Sequence, residues 1–477
     1  MLNKFFSKFT AIACLCTIFT NGCMMGPDFK TPAAPHVKPF QSTDQATHIA
    51  LNQNIPADWW KLYHSPELNA LITTGLANSP TIDTATAALT QAKEQLNAQT
   101  GNLLFPAITV NASGQRQKPS LASGAPPGVF NLYNASVNVA YTLDIWGTSR
   151  RQIEGARAAV DAEEYQLRAA KLMLTGNITT SAITLASLNA QKTATQALIK
   201  AQSDQLALME KQLSLGAVSQ QDILAQKTQL AQTRALLPPI EKSRLQTQDA
   251  LAVLIGRFPD EKTLPAVQLD TLSMPRSLPM SIPSDIVKQR PDIQASMALL
   301  HQASAGVGVA TANLFPQMTL NGSYGGSTTV LHTLFNAATR TWSFGPQLVA
   351  PLFNGGALNA EKRAAIAAFD QANAQYRQTV LQAFQNVADS LRAVETDTHL
   401  EITQKEAESA AHESLLLARQ QFTLGSVSFL AVLNAESQYN QAVIQRIQAH
   451  ALCLADIAAL FQSLGGGWWN KTGVVTS

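Results

Sequence analysis

Two hydrophobic periods follow one another along this chain, and the sequence runs through them twice. In residues 108–113 Ile108, Val110 and Ala112 alternate with Thr109, Asn111 and Ser113. In residues 135–145 (ASVNVAYTLDI) Val137, Val139, Tyr141, Leu143 and Ile145 alternate with Asn138, Ala140, Thr142 and Asp144. Met318, Leu320 and Tyr324 alternate in the same way with Thr319, Asn321 and Ser323, and residues 342–352 continue that set, weakened by Pro346 and Pro351. A period of two with one apolar and one polar face predicts strands set between two different media. After each strand pair the period lengthens. Val160, Leu167 and Leu174 fall every seven residues in a proline-free run from 150 to 215. Val380, Phe384, Val387, Leu391 and Val394 step by 4, 3, 4 and 3, the a/d seam of supercoiled helices. A run of about 65 residues would make a helix about 100 Å long. Partner helices are predicted over 220–254, with a kink or break at Pro238-Pro239, and over 429–464. Gly216 and Gly425 stand where helix C-caps place glycine.

The repetition is also literal. NLLFPAITVNASG (102–114) returns as NLFPQMTLNGSYG (313–325), with Pro106 and Pro316 210 apart. QLSLGAVSQQDILAQKTQL (212–230) returns as QFTLGSVSFLAVLNAESQY (421–439), and SPTIDTATAAL (79–89) resembles RPDIQASMALL (290–300). Pro80 and Pro291 sit where a first helical turn accepts proline. Three matches in one order at nearly one offset predict two copies of a helix–strand–strand–helical-hairpin unit. The first copy is 79–282, with a strand pair at 107–145 and a hairpin at 148–256. The second is 283–464, with a strand pair at 316–352 and a hairpin at 358–464. Residues 23–78 precede them and a tail at 465–477 follows.

The start of the chain adds an anchor. Lys4 and Lys8 lead into the apolar run 9–19, which is too short to span a bilayer, where about 20 residues are needed. A positive start, a short apolar run and small residues before a break describe a signal peptide, 1–22. Gly22-Cys23 fits the end of a lipoprotein signal, which makes Cys23 the lipidated residue, although Thr20 and Asn21 are unusual before it. The mature chain then keeps one other thiol, Cys453, and no disulfide framework. No second long apolar run follows. A net charge of +2 with 14% charged residues gives no nucleic-acid footprint.

Catalytic patterns are missing. There is no G-x-S-x-G and no P-loop, and His412-Glu413 lacks the second histidine of a zinc helix. No metal site or cofactor is expected beyond the covalent lipid on Cys23. Gly306 to Thr311 (GVGVAT) lacks the third glycine of a dinucleotide loop and reads as close helix packing. Asp285 and Asp292 around Arg290-Pro291 read as capping and local ion-pair residues. Four amphipathic strands cannot close a barrel in lipid, which tolerates no open sheet edge. Two or three copies of the chain would pool eight or twelve, and twelve leave a lumen. Asn138, Thr142, Asp144, Asn321 and Ser323 would line water, and Val139, Tyr141, Leu320 and Tyr324 would face lipid. The same alternation also fits a soluble β-sandwich attached to a coiled coil.

Five segments in order carry a resemblance: GCMMGPDFKTP, ADWWKLYHSPELNALI, RPDIQASMALLHQASAGVGVATANLFP, PLFNGG and LGSVSFLAVLNAESQYNQA. Over nearly its whole length the chain resembles the TolC-like outer membrane factors, in the lipoprotein branch paired with multidrug or metal efflux pumps. The resemblance implies a mainly α fold with a small β part. It also implies a trimer with a 12-stranded outer-membrane barrel, a periplasmic helical barrel, and docking to a periplasmic adaptor and an inner-membrane transporter. It further implies a gate just past the second hairpin turn, a leucine ring and an aspartate ring, which match Leu430 and Asn434. Asn434 departs from the acid, so a charged ring is lost. Asp222, matched to Ala431 by the repeat offset, could supply a charge belt instead, or be an early-helix acid favoured by the helix dipole. The turns Gly216-Ala217-Val218 and Gly425-Ser426-Val427 would meet the adaptor, with Phe429 as an apolar contact. Trp59 and Trp60 would pack the segment before the first helix. A type I secretion duct and a pore-less structural lipoprotein are the competing readings.

Overall fold

A computed structural model describes residues 24–33, 49–51, 55–118, 120, 128–259, 264–273, 278–280 and 287–470. Cys23, the signal peptide, Asp285 and the tail from 471 lie outside the described residues. Among these residues the chain is mainly helical with a small antiparallel sheet. It forms two compact units. One joins Ala88–Glu164 and Ala295–Arg377 to the described residues up to Pro32. The other joins Tyr165–Gln294 and Gln378–Ser477 to the segment before Ala87. Each unit thus draws on both halves of the chain.

The helices are α1 (Pro66–Asn78), α2 (Pro80–Leu104), α3 (Thr148–Ser214), α4 (Gln220–Ala235), α5 (Leu237–Leu254), α6 (Pro291–Ala312), α7 (Ala357–Thr423) and α8 (Phe429–Ser463). Proline opens α1, α2 and α6, where its missing N–H has no intrahelical partner to lose. Helices α3 and α7 each run 67 residues. The break expected at Pro238-Pro239 falls at Leu236, between α4 and α5. The two prolines have no N–H to offer the carbonyls of Arg234 and Ala235, so the ladder fails one turn before the rings.

In the first unit, β2 (Ala107–Gln117), β3 (Phe130–Leu143), β5 (Gln317–Thr328) and β6 (Arg340–Val349) form one antiparallel sheet in the order β2-β3-β5-β6. Trp146 donates to the Pro316 carbonyl at 2.7 Å and stacks on Phe315, joining the ends of β3 and β5. Asp144 is a correction to the sequence reading. Strand β3 ends at Leu143, and the Asp144 carboxylate accepts from the backbone N–H of Ser149 (2.9 Å) and Arg150 (3.0 Å) and from Arg150 Nε (3.0 Å). It caps the start of α3 instead of continuing a polar sheet face. The first-turn N–H groups of a 67-residue helix outcompeted the period-two pattern.

The residues just after Cys23 are pinned in this unit. Arg151, 1% exposed, donates to Asp28 (2.8 Å), Glu154 (2.8 Å) and the Met25 carbonyl (3.2 Å). Phe29 stacks on His301 at 4.4 Å, and His301 bonds Glu154 at 2.8 Å. The close packing expected of GVGVAT rests on Gly308 alone: a Cβ there would meet the Arg151 side chain, whereas one at Gly306 would meet nothing.

The second unit holds the larger core. Trp59, Tyr63, Leu68, Ile72, Ile178, Ile183, Leu251, Leu454 and Phe461 are at most 1% exposed. Trp59 stacks on Phe461 at 5.5 Å, and the Tyr63 hydroxyl donates to the Leu454 carbonyl at 2.8 Å. Trp60 is also buried, so both tryptophans pack as expected. Arg290 grips Asp292 with two bonds (3.0 and 2.7 Å) and donates to the Ser463 carbonyl at 2.7 Å, the local ion pair read from the sequence. A short parallel pair joins β1 (Ile49–Leu51) to β4 (Leu278–Met280). No second long apolar run stands out along the sequence, yet α8 is long and apolar enough by composition to cross a membrane. Its apolar residues Cys453, Leu454, Ile457, Ala458 and Phe461 are instead buried in this core.

On α8, burial, with a hydrogen bond that protonated Asp456 donates to the Asp397 carboxylate, pushes Asp456 up to about 7. An acid raised in the fold is protonated where the unfolded chain is not. Stability therefore falls as pH rises from about 4 to about 7. Asp456→Asn is expected to flatten that slope in denaturation midpoints measured across this range; an unchanged slope would assign it elsewhere. Asp144→Ala is expected to cost about 1 kcal/mol through the lost cap, measured as a lowered denaturation midpoint, and Asp144→Asn to cost less.

Candidate functional site: the sheet faces and the hairpin turns

Register decides what the sheet can face. Paired residues on neighbouring strands point the same way. One row runs Val110–Val137–Tyr324–Trp342 and the next Ile108–Val139–Gly322–Phe344. Tyr141 and Leu320 pair on that same face. The opposite face carries Thr109–Asn138–Ser323–Ser343 and Thr142–Thr319–Gln347, with Asn321 between them. Asn138, Thr142, Asn321 and Ser323 thus share one face, as the alternation predicts, and Asp144 is not among them. Ser323 bonds Ser343 at 2.8 Å, Asn321 donates to Gln347 at 3.2 Å, and Thr142 meets Thr319 at 3.3 Å.

The apolar face is bare. Ile108, Val110, Tyr324, Trp342, Phe344 and Leu348 are 58–76% exposed. Phe105, Leu352 and Phe353, beside the strand ends, are also exposed. Among the described residues β2 pairs only with β3 and β6 only with β5, so both outer strands present unpaired backbone groups.

The hairpin turns belong to the second unit and are built alike. Gly216 has φ +76° and Gly425 has φ +75°, which glycine adopts without a Cβ clash. Gly216 donates to the Leu213 carbonyl and Ala217 to Gln212, both at 2.9 Å. Gly425 donates to Phe422 and Ser426 to Gln421, again at 2.9 Å. Each turn is a Schellman cap that spends the last carbonyls of its helix on the reversal. Gly216, Ala217, Gly425 and Ser426 are exposed, and Val218 and Val427 half-buried. Leu215 and Leu424, the residue before each glycine, are both 83% exposed. Sequence reasoning passed over this pair, although the repeated Leu-Gly dipeptide carries the signal.

Phe429 is not available for contact. It is 4% exposed and packs on Phe422 at 5.4 Å, in a cluster with Met209, Ile223, Leu415 and Leu433. Helix α8 starts there, and its first inward position faces this small core. Leu430 and Asn434, one turn apart, fall on the other side of α8 and are exposed, Leu430 at 59%. Asp222 occupies the matching start of α4. Its carboxylate accepts from the Ser219 N–H (3.1 Å) and hydroxyl (2.7 Å), while Ser219 Oγ accepts from the Asp222 N–H at 3.2 Å. That reciprocal capping box is the early-helix role the dipole favours. No group of three or more metal-ligating side chains occurs among the described residues.

Known proteins share this architecture. The chain is 28% identical over 460 residues to the probable efflux pump outer membrane protein TtgC of Pseudomonas putida, covering 95% of this chain and 94% of that one. It is 26% identical to the probable outer membrane lipoprotein SilC of Salmonella typhimurium, over 94% and 96% of the two chains. The solved outer-membrane channel OprN superposes with a TM-score of 0.86 at 27% identity, covering 94% of this chain and all of that one. The outer membrane efflux protein profile matches twice, over residues 71–257 and 282–466. Proteins of this family are transport proteins, and their place is the outer membrane. With its strand pairs, paired long helices and matching turns fitted over both halves, the chain belongs to the outer membrane efflux protein family.

Proposed function

We propose that three copies of this chain pool their strands into a twelve-stranded barrel in the outer membrane and their helices into a periplasmic barrel. The result is the exit duct of a tripartite efflux system. The observation that carries this reading is the sheet. Four strands with an exposed apolar face and two open edges need neighbours and lipid, not a soluble core. Two copies would give eight strands, a barrel filled by its own side chains, whereas twelve leave a polar lumen. Asn138, Thr142, Asn321 and Ser323 line that lumen, and Tyr324, Trp342 and Phe344 meet lipid.

The chain reads as a duplicated unit, supported by the equal lengths of α3 and α7 and the twofold family match. Cys23 carries the lipid anchor, and the Arg151 grip on residues 25–28 holds the chain directly behind it. The name of SilC as a lipoprotein supports the same end. The relatives' named cargoes differ, toluene for one TtgC and pyoverdine for OpmQ, so selection by an inner-membrane transporter suits a passive duct. A periplasmic adaptor meets the turns at Gly216-Ala217-Val218 and Gly425-Ser426-Val427, with Leu215 and Leu424 as their exposed apolar points. Leu430 and Asn434 close the periplasmic end as rings about the three-fold axis. Asp222, spent on its cap, is a weaker candidate for that role.

The test is planar-bilayer conductance of the purified protein with its mass in detergent. A trimer with a small conductance that rises several-fold in Asn434→Ala or Leu430→Ala is expected. A trimer conducting fully without substitution would keep the duct and discard this gate, and a pore-less monomer or dimer would overturn the duct. Cys23→Ala is expected to lower the amount of trimer recovered from outer membranes while leaving its unit conductance unchanged. Equal recovery would remove the anchor from assembly.

A further inference from the structure

The apolar face of the sheet ends in positive charge, and a passive duct has no use for it. Apolar rows cross that face in register, from Leu143–Met318–Leu348 to Val110–Val137–Tyr324–Trp342. The row after the last is Ala112–Ala135–Gly326–Arg340, and two rows further on Arg116 pairs with Asn131. Both arginines therefore stand on the same face as Tyr324 and Trp342. Helices α2, α3, α6 and α7 all adjoin the sheet at its other end, beside Ala107, Leu143, Gln317 and Val349.

The charge is one-sided. Residues 95–143 and 313–360 hold all four strands, and their only Lys or Arg residues are Arg116, Lys118 and Arg340, with no Asp or Glu. All three are exposed. Among the described residues neither guanidinium has an ion-pair or hydrogen-bond partner. On a lipid-facing strand a charge is costly at mid-bilayer and costs little at the interface, where aromatic residues gather. Trp342 and Tyr324 make such an aromatic row just before Arg340.

The two arginines also mark one level. Strands of a barrel tilt by about 40°, so over the three strand spacings from β2 to β6 a level line moves about 12 Å along the strands. The two rows between Arg340 and Arg116 amount to about 14 Å. Three-fold symmetry then brings them together. Its contacts are head to tail, since only a two-fold interface sets like edge against like edge. At each seam β6 of one copy adjoins β2 of the next, so Arg340 of one copy stands beside Arg116 and Lys118 of the next.

We infer that each seam binds the headgroup of one phosphate-bearing anionic lipid, in the leaflet at the end of the barrel away from the helices. Arg340 and Arg116 of adjoining copies hold the phosphate, whose oxygens match the guanidinium fork, and Lys118 adds charge. The acyl chains lie along Trp342 and Val110. The inference rests on the three-copy duct proposed above and names the lipid partner of its outer end.

Native mass spectrometry of the full-length protein in detergent tests it, with phosphatidic acid, phosphatidylglycerol and phosphatidylcholine of identical acyl chains as probes. Phosphatidic acid is expected to saturate at three molecules per trimer. It is expected to bind about tenfold or more tighter than phosphatidylcholine, with phosphatidylglycerol between them. Arg340→Gln and Arg116→Gln are each expected to weaken phosphatidic acid about fivefold and to leave phosphatidylcholine unchanged. Should either variant fail to form a trimer, the three headgroups on the unsubstituted protein carry the test. Excess inorganic phosphate is expected not to displace the lipid; displacement would assign the seat to a free anion and overturn the lipid site. Equal binding of the three lipids, or unchanged binding with both arginines replaced, would overturn the inference while a conducting trimer keeps the duct. A pore-less monomer in the same preparation would remove both.

Discussion

Hydrogen bonding that stops at the two outer strands is the constraint from which the rest of this protein follows. Strands β3 and β5 have a neighbour on both sides over most of their length, while β2 and β6 each turn one edge outward. In water such an edge attracts unwanted partners, and in lipid it cannot exist. The exposed rings of Trp342 and Phe344 on β6, and Ile108 and Val110 on β2, add an apolar face that a single chain leaves uncovered. One satisfied arrangement answers both demands at once: strands from further copies on each edge and lipid on the face. The polar face fits that answer, because Ser323 with Ser343 and Asn321 with Gln347 already satisfy one another across strands and need only water beyond.

The helical part solves a different problem, the ends of long helices. Each of the 67-residue helices leaves four N–H and four carbonyl groups without intrahelical partners. At the start of α3 the Asp144 carboxylate takes two of the N–H groups. At the far turns Gly216 and Gly425 let the last carbonyls bond forward into the reversal. The caps therefore fix where each helix begins and ends, and with it which residues are left exposed at the turns. Leu215 and Leu424, each just before the positive-φ glycine of its turn, are left bare there. Leu430 and Asn434 are bare because Phe429, Val432 and Leu433 claim the inward side of α8.

Buried arginines set the remaining positions. Arg151 holds the carbonyl of Met25 and the carboxylate of Asp28, and Arg290 holds Asp292 and the carbonyl of Ser463. In each case a charge that would be costly to bury alone is satisfied by several acceptors, which ties a distant stretch of chain to a helix start. Nothing in the local sequence announces such partners, since Met25 and Arg151 stand 126 residues apart, with α1, α2 and both strands β2 and β3 between them.

Periodicity alone determined the element types, their order and the sheet's two faces, because a strand's side chains alternate and a helix's recur every three to four residues whatever surrounds them. Pro80, Pro291, Gly216 and Gly425 were legible for the same reason, each reporting a backbone need that is local. Asp144 and Phe429 were misread where two local rules competed, a strand pattern against a helix cap and a turn against a core. Only tertiary structure decided those contests, as it alone revealed the partners of Arg151 and the cross-strand rows that set Arg116 and Arg340 beyond the apolar face. Those features depend on residues hundreds of positions apart in the chain, and only packing brings such residues within a few ångströms.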